Sequence, residues 1–303
     1  MKPDVRSTTI LLAAALLFVG AASRAADDAA YIRGIEQQRA DRVERLGAPQ
    51  GWLSLVGLHW IEPGTHRIGR APDNAIVLAT GPAHAGEVER TGATVVYRPA
   101  SDAGITVDGH IIDGEVELAA DTGGDPTVVA FDGGKATMQL IARGDRLGLR
   151  VRDERAATRT AFKGVDTYPI DPAWRIEARF IAHPPGKTIE IANVLDMLEP
   201  TPNPGVVVFE KDGREFRLEA LDNGDGTLFL IFADRTNRDA TYGAGRFLDT
   251  AAPADGRVTL DFNLAVNPPC AFNAYSTCPL PPPENRLDLA VTAGEKRYAA
   301  TNH

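Results

Sequence analysis

Apolar residues follow a helical period over one stretch of this chain and a strand period over nearly all the rest. Between Asp27 and Leu46, Tyr31, Ile32, Ile35, Val43 and Leu46 fall near one face, with acidic residues first and arginines late, an order that complements the helix dipole. Gly47 and Pro49 follow and predict the end of that helix. A single narrow apolar stripe makes no core by itself, so the helix is expected to lie as a lid or strap on a β body.

From Gly51 the pattern shortens to strand length. GWLSLVGLHWI, HRIG, AIVL, GEVER, TVVYRP, GITVDGHII, GEVEL, TVVAFDG, ATMQLIARGD and RLGLRVRD run to about Asp153, separated by Gly, Asp or Pro turns. Many of them alternate polar and apolar residues, as a half-buried strand does. The joint from Glu154 to Pro172 carries Arg155, Arg159 and Lys163 as charges expected at the surface, and its Pro169 and Pro172 break regular structure. Alternation then restarts: Trp174, Ile176, Ala178 and Phe180 on one face, Arg175, Glu177 and Arg179 on the other. KTIEIANVL, GVVVFEKDGREFRLEAL, TLFLIFADR, RVTLDFN and a final LDLAVTAGEKRY predict further strands. Lys211-Asp-Gly-Arg214 has hairpin chemistry. Asp222-Asn-Gly-Asp-Gly226 reads as a turn, because a calcium loop would need a glutamate at its twelfth position and none is there.

The fold class these patterns predict is mainly β: a short N-terminal helix, then two consecutive β-sandwich or barrel domains. The expected division is a helix over 26–49, a first sandwich over 50–153, a linker over 154–173 and a second β domain over 174–303. Ahead of them, Lys2 and Arg6 precede an eleven-residue apolar run from Ile10 to Gly20, which is shorter than the roughly 20 residues a helical span needs. Ser23 and Ala25 frame a cut before Ala26, so residues 1–25 are expected to be a cleaved export signal. The protein is then periplasmic or secreted, with no stable membrane span after cleavage.

Composition narrows the partners. The formal charge of −9 becomes −11 once residues 1–25 are removed, leaving 29 basic and 40 acidic residues. No basic stripe appears, so nucleic acid is excluded as an expected partner. Export also changes the meaning of Cys270 and Cys278. In an oxidising compartment an isolated pair predicts a disulfide, and seven intervening residues suit neither a CxxC redox site nor a zinc site.

Motifs for the commoner chemistries are missing. There is no GxSxG elbow, no HExxH or HxH, no P-loop and no GxGxxG after a strand. His59, His66, His84, His110 and His183 are scattered, and neither a metal nor a cofactor is expected. What remains is the stretch from Asp261 to Leu287, with six prolines, four asparagines and both cysteines, and the polar segment before it. Tyr242, Arg246, Asn263, Asn267, Asn285 and Arg286 are candidate ligand-binding residues, and Glu284 is a candidate acid or base. Such groups stay buried only with hydrogen bonds, so they either tie loops together or line a cleft.

Two resemblances bear on the halves. His66 to Leu78, His84-Ala85 and Val107 to Ile112 resemble the forkhead-associated phosphopeptide-binding sandwich through Gly69, Arg70, Asn74, Ile76, His84 and Gly109. In that family an arginine, a serine and an asparagine read phosphothreonine. Arg70 matches, but Pro82-Ala83 replaces the serine and Asp108 the asparagine, so the resemblance implies architecture and not phosphopeptide binding. GWLSLVGLHW, Phe162 to Phe180, TYGAGRFLD and DFNLAVNPPCAFNAYSTCPLPPPENRL together resemble the bacterial domain of unknown function 1684 family. That resemblance implies a β-rich, often exported protein and assigns no catalytic residue. The expected role is an exported binding or envelope-associated module for a small polar ligand, glycan or peptide. The alternative is a metal-independent hydrolase or lyase using Glu284, with Asn263, Asn267 and Arg246 orienting substrate.

Overall fold

The computed structural model describes residues 27–299 apart from Asp102 and Gly123, so the expected signal at 1–25 lies outside the described residues. Helix α1 occupies residues 27–47 and is followed by a turn through Pro49, as its stop residues predict. Among the described residues no helix is long and apolar enough to cross a membrane.

The first β body contains β1 (Leu55–Trp60), β2 (Gly64–Gly69), β3 (Ile76–Val77), β4 (Gly86–Thr91), β5 (Thr94–Pro99), β6 (Thr106–Val107), β7 (Val116–Glu117), β8 (Val128–Phe131), β9 (Ala136–Arg143) and β10 (Arg146–Asp153). They form two five-stranded sheets, in the orders β1-β10-β9-β8-β6 and β3-β2-β4-β5-β7. Ile68, Val88 and Tyr97 from one sheet and Val129, Met138 and Leu149 from the other share a single core, which is what period-2 patterning on both sheets demands. Gly69 is needed where it stands: its φ is 152°, and an added Cβ would lie 2.4 Å from the Ala83 carbonyl oxygen. GITVDGHII is not one strand. After Val107, Asp108 and Gly109 adopt φ of 47° and 82° and turn the chain back so that His110 bridges to Val107.

A short helix, α2 (Ala157–Thr160), interrupts the joint. The second body has β11 (Arg175–Ala182), β12 (Thr188–Ala192), β13 (Leu198–Pro202), β14 (Gly205–Lys211), β15 (Arg214–Asp222), β16 (Leu228–Phe232), β17 (Arg246–Thr250) and β18 (Arg257–Asp261). Six of them make a sheet ordered β17-β16-β15-β14-β11-β18, curled into a half-barrel, while β12 and β13 pair apart. Lys211 and Arg214 pair across Asp212 and Gly213, whose φ of 52° and 72° are those of the predicted hairpin turn. The concave face holds a core that includes Trp174, Phe209, Phe232 and Phe262. Trp174 and Phe262 meet edge to face with ring centroids 5.8 Å apart.

The expected final strand over LDLAVTAGEKRY does not form. Its carbonyl groups go to a side chain instead: the guanidinium of Arg246 donates to the carbonyl oxygens of Val291 at 2.8 Å, Ala293 at 2.5 Å and Glu295 at 3.4 Å. Gly294, at φ 77°, also turns the backbone out of extended geometry.

Candidate functional site: a cleft under the N-terminal helix

Helix α1 docks through a stripe more polar than its apolar pattern suggests. Tyr31, Ile35, Arg39, Arg42 and Leu46 follow one another at steps of four, four, three and four, which places them on one face. Ile35 and Leu46 are buried, and the three polar members reach the C-terminal motif. The Tyr31 hydroxyl donates to the Asp261 carboxylate at 2.8 Å and accepts from Asn263 Nδ2 at 2.9 Å. Arg39 donates through Nε and Nη2 to the Asn263 carbonyl oxygen at 3.3 and 3.0 Å, and through Nη1 to Thr167 Oγ1 at 2.9 Å and the Tyr168 carbonyl at 3.0 Å. Arg42 donates to Glu295 Oε1 at 3.3 Å and to the Asn267 carbonyl at 2.9 Å. Glu295 completes this set by accepting the Asn267 amide at 2.6 Å.

Between helix and motif lies a cleft of about 240 Å³, lined among others by Arg39, Arg42, Arg45, Thr167, Asp249, Asn263 and Glu295. Its electrostatics follow from burial. Loss of water raises the Glu295 carboxyl above its ordinary range, against the pull of Arg42 and the Asn267 amide. Tyr31 is raised by burial and then by its bond to Asp261, while Arg39 is lowered by burial. The exposed side chain of Arg45 makes no hydrogen bond or ion pair among the described residues, and neither does Nη1 of Arg42, so the cleft presents unused cationic donors beside the exposed Asp249. Among the described residues no group of three or more His, Cys, Asp or Glu side chains is placed to hold a metal ion.

The residues singled out by sequence disperse over this region. Asn263 lines the cleft, and its amide is committed on both sides, with Oδ1 accepting the Asp171 amide at 3.0 Å and Nδ2 also donating to the Asp171 carbonyl at 2.8 Å. Asn267 is fully buried and does not line the cleft; Nδ2 donates to the Lys296 carbonyl at 2.8 Å, and Oδ1 is buried without a partner among the described residues. Arg246 is also fully buried, paired with Asp234 at 2.8 Å beneath the C-terminal segment it holds. Asn285 bridges strands, donating to the carbonyls of Glu219 and Ile231 at 2.9 Å each and accepting the Glu219 amide at 2.7 Å. Tyr242 donates to the Cys270 carbonyl at 3.2 Å, and burial raises its hydroxyl pKa. Glu284 and Arg286 are exposed, and their side chains make no hydrogen bond or ion pair among the described residues. The structure therefore brings Asn263 to the cleft, ties the main chain of Asn267 to the lining residues Arg42 and Glu295, and leaves Glu284 outside it.

Sequence reasoning did not single out Arg39, Arg42, Arg45 or Glu295. The helical spacing of the first two with Ile35 and Leu46 was a usable sign. Glu295 carried none, since a single acid in a strand-like segment reads as solvated.

Cys270 and Cys278 form the disulfide, with Cα atoms 6.1 Å apart. Asn273 organises the loop they close: its amide donates to the carbonyls of Trp52 and Pro269, each at 3.1 Å, and its Oδ1 accepts the Tyr275 amide at 2.8 Å. Phe272 from the loop joins Leu46 and Leu53 in a small core beside the cleft.

Fold and site together define a mainly β protein in which an N-terminal helix closes a polar cleft over the segment that leads into a proline-rich, disulfide-stapled loop. Over residues 160–296 the chain belongs to the family described as "Protein of unknown function (DUF1684)". A solution NMR structure of an uncharacterized protein from Haloarcula marismortui is similar at 34% identity, covering 46% of this chain and 78% of that one, with a TM-score of 0.38. No curated protein matches the chain. The helix arginines precede the matched span, and Glu295 and the asparagines lie within it.

Proposed function

We propose that this chain is an exported binding module whose helix-covered cleft takes a small polar ligand carrying a carboxylate or phosphate group, free or as part of an acidic glycan or peptide. The observation that carries the reading is the set of unused donors on Arg45 and Arg42 in a cleft whose other polar groups are already bonded. A guanidinium fork suits bidentate recognition of an oxyanion. The volume suits a metabolite or one residue of a polymer better than a drug-sized ligand. Export is supported by the basic and apolar leader together with the disulfide, which persists in oxidising compartments.

The division into a first sandwich over 50–153 and a second β domain from 174 fits the two separate main cores. The forkhead-associated likeness of the first is one of architecture. Arg70 donates to the Gly81 carbonyl at 3.3 Å, and Asn74 ties Ala71 and Ala83 together at 2.8 Å each. No observation favours catalysis by Glu284, whose carboxylate is exposed and outside the cleft.

The test is a thermal-shift and calorimetric screen of the mature protein against small carboxylates, sugar phosphates, uronic acids and peptides. Hits are expected to weaken at least tenfold in Arg45→Glu and to survive in Glu284→Gln. Hits untouched by Arg45→Glu would remove the cleft from the reading, and hits lost in Glu284→Gln would move the site to the C-terminal loop.

A further inference from the structure

A second concentration of arginine lies on the outer face of the β1-β10-β9 sheet. Strand alternation places Leu147, Leu149 and Val151 in the core and therefore Arg150 and Arg152 on the opposite face, two residues and about 7 Å apart. An exposed outer face would make them ordinary solvated charges. This face is covered instead. Trp52 lies over Arg150 with its ring centre 5.7 Å from Cζ. At the other end of β9 the disulfide loop arrives, where Arg143 Nε donates to Thr277 Oγ1 at 2.8 Å. The Arg150 side chain is left only 6% exposed.

The partners are too few for the charges. Asp121 is consumed by Arg143, which donates to Oδ1 at 3.0 Å and Oδ2 at 2.9 Å, while Oδ1 also accepts the Ala142 amide at 3.0 Å. Its nearest approach to Arg150 is 3.9 Å, beyond hydrogen-bonding distance. The Arg150 side chain makes no hydrogen bond among the described residues, and its Nε is completely enclosed. Arg152 has one bond, to Gln139 Oε1 at 2.5 Å, no carboxylate, and an enclosed, unbonded Nε of its own. Burial, followed by the positive charges of Arg143 and Arg152, lowers the Arg150 pKa to about 10, against the pull of Asp121. A buried guanidinium with no hydrogen-bonded anion is strongly disfavoured, and an ion pair at 3.9 Å with stacking on one indole does not replace the water lost from five N–H donors.

We propose that this seam, between the outer face of the first body and the segments that cover it, holds a small oxyanion (phosphate, sulfate or a carboxylate) on Arg150 and Arg152. Arg152 lies one strand repeat from Arg150 on the same face. The seam shares no lining residue with the cleft under α1, so the inference stands apart from the proposed function. An anion there would neutralise the junction between the first body, the Trp52 turn and the disulfide loop, making occupancy a determinant of how firmly those parts hold together.

The experiment is thermal unfolding of the disulfide-intact mature protein, titrated separately with phosphate, sulfate and acetate against chloride at constant ionic strength. The expected result is a saturable rise in Tm for at least one oxyanion in the wild type. Arg150→Met is expected to abolish that rise while melting, without oxyanion, at or above the wild-type temperature, because an unneutralised buried charge has been removed. Arg45→Glu, in the cleft, is expected to keep the rise. A wild-type Tm indifferent to all three oxyanions overturns the proposal, and so does a rise that persists in Arg150→Met. If Arg150→Met fails to fold, Arg152→Gln under the same titration decides, with an unchanged response counting against the site.

Discussion

At the scale of single residues, the polar groups of the C-terminal half act mainly through the carbonyl groups they collect. Arg246 is the extreme case, a fully buried cation whose neighbours are one carboxylate and three main-chain oxygens. Arg246→Met leaves Asp234 and those carbonyls unpaired, and urea unfolding should show a loss of about 3–5 kcal/mol. Asp153 makes a pH prediction. The Arg155 side chain chiefly, helped by the Thr80 hydroxyl, holds its carboxyl at about 2 against the opposing effect of burial. A depressed folded-state pKa contributes stability that is present above the unfolded value, near 3.8, and is lost as pH falls towards 2. The stability advantage of wild type over Asp153→Asn should therefore shrink by about 2 kcal/mol between about pH 6 and about pH 2. Glu295 has the opposite sign: its raised carboxyl contributes stability at low pH that is lost as pH rises through its folded value.

At the scale of elements, α1 shows how far periodicity reaches. Its apolar positions predicted a strap, and the strap is there; that Arg39 and Arg42 share the buried face becomes visible only against the carbonyls of Asn263, Tyr168 and Asn267 that receive them. Gly34 lies on the exposed side, with nothing within 4 Å of a built Cβ. Gly34→Ala should therefore stabilise the protein by about 0.5–1 kcal/mol in chemical denaturation, through helix propensity alone, with ligand binding unchanged. The segment after Leu287 teaches the converse. Its alternation is that of a strand, but pairing is decided by what lies alongside, and there a buried guanidinium takes the carbonyls a neighbouring strand would have taken.

At the scale of the whole molecule, the disulfide loop is the junction. It touches the first body through Asn273 and Arg143, the end of α1 through Phe272, and the polar segment of the second body through Tyr242. Thiol titration of the denatured, unreduced protein should find no free thiol, and two after reduction. Reduction should lower stability by about 2.5 kcal/mol in the chain-entropy model. Because the loop meets the seam through Thr277 and packs Phe272 on Leu46 of α1, reduction should also weaken any ligand bound in the seam or under the helix.

The sequence by itself determined the mainly β class, the position and ends of α1, the Asp212-Gly213 hairpin, the disulfide and the stretch near which polar groups would gather. Those features depend on local period, turn chemistry or cysteine pairing, which neighbours along the chain specify. Only the tertiary structure decided which polar groups meet. Asn263, Asn267, Asn285 and Arg246 are alike in sequence as buried hydrogen-bonding residues, yet one lines a cleft and three are sealed within the fold. Glu295 gains its environment from Arg42, 253 residues away along the chain. Burial, and with it the cost of leaving a charge unpaired, is a property of packing between distant segments, and no local pattern encodes it.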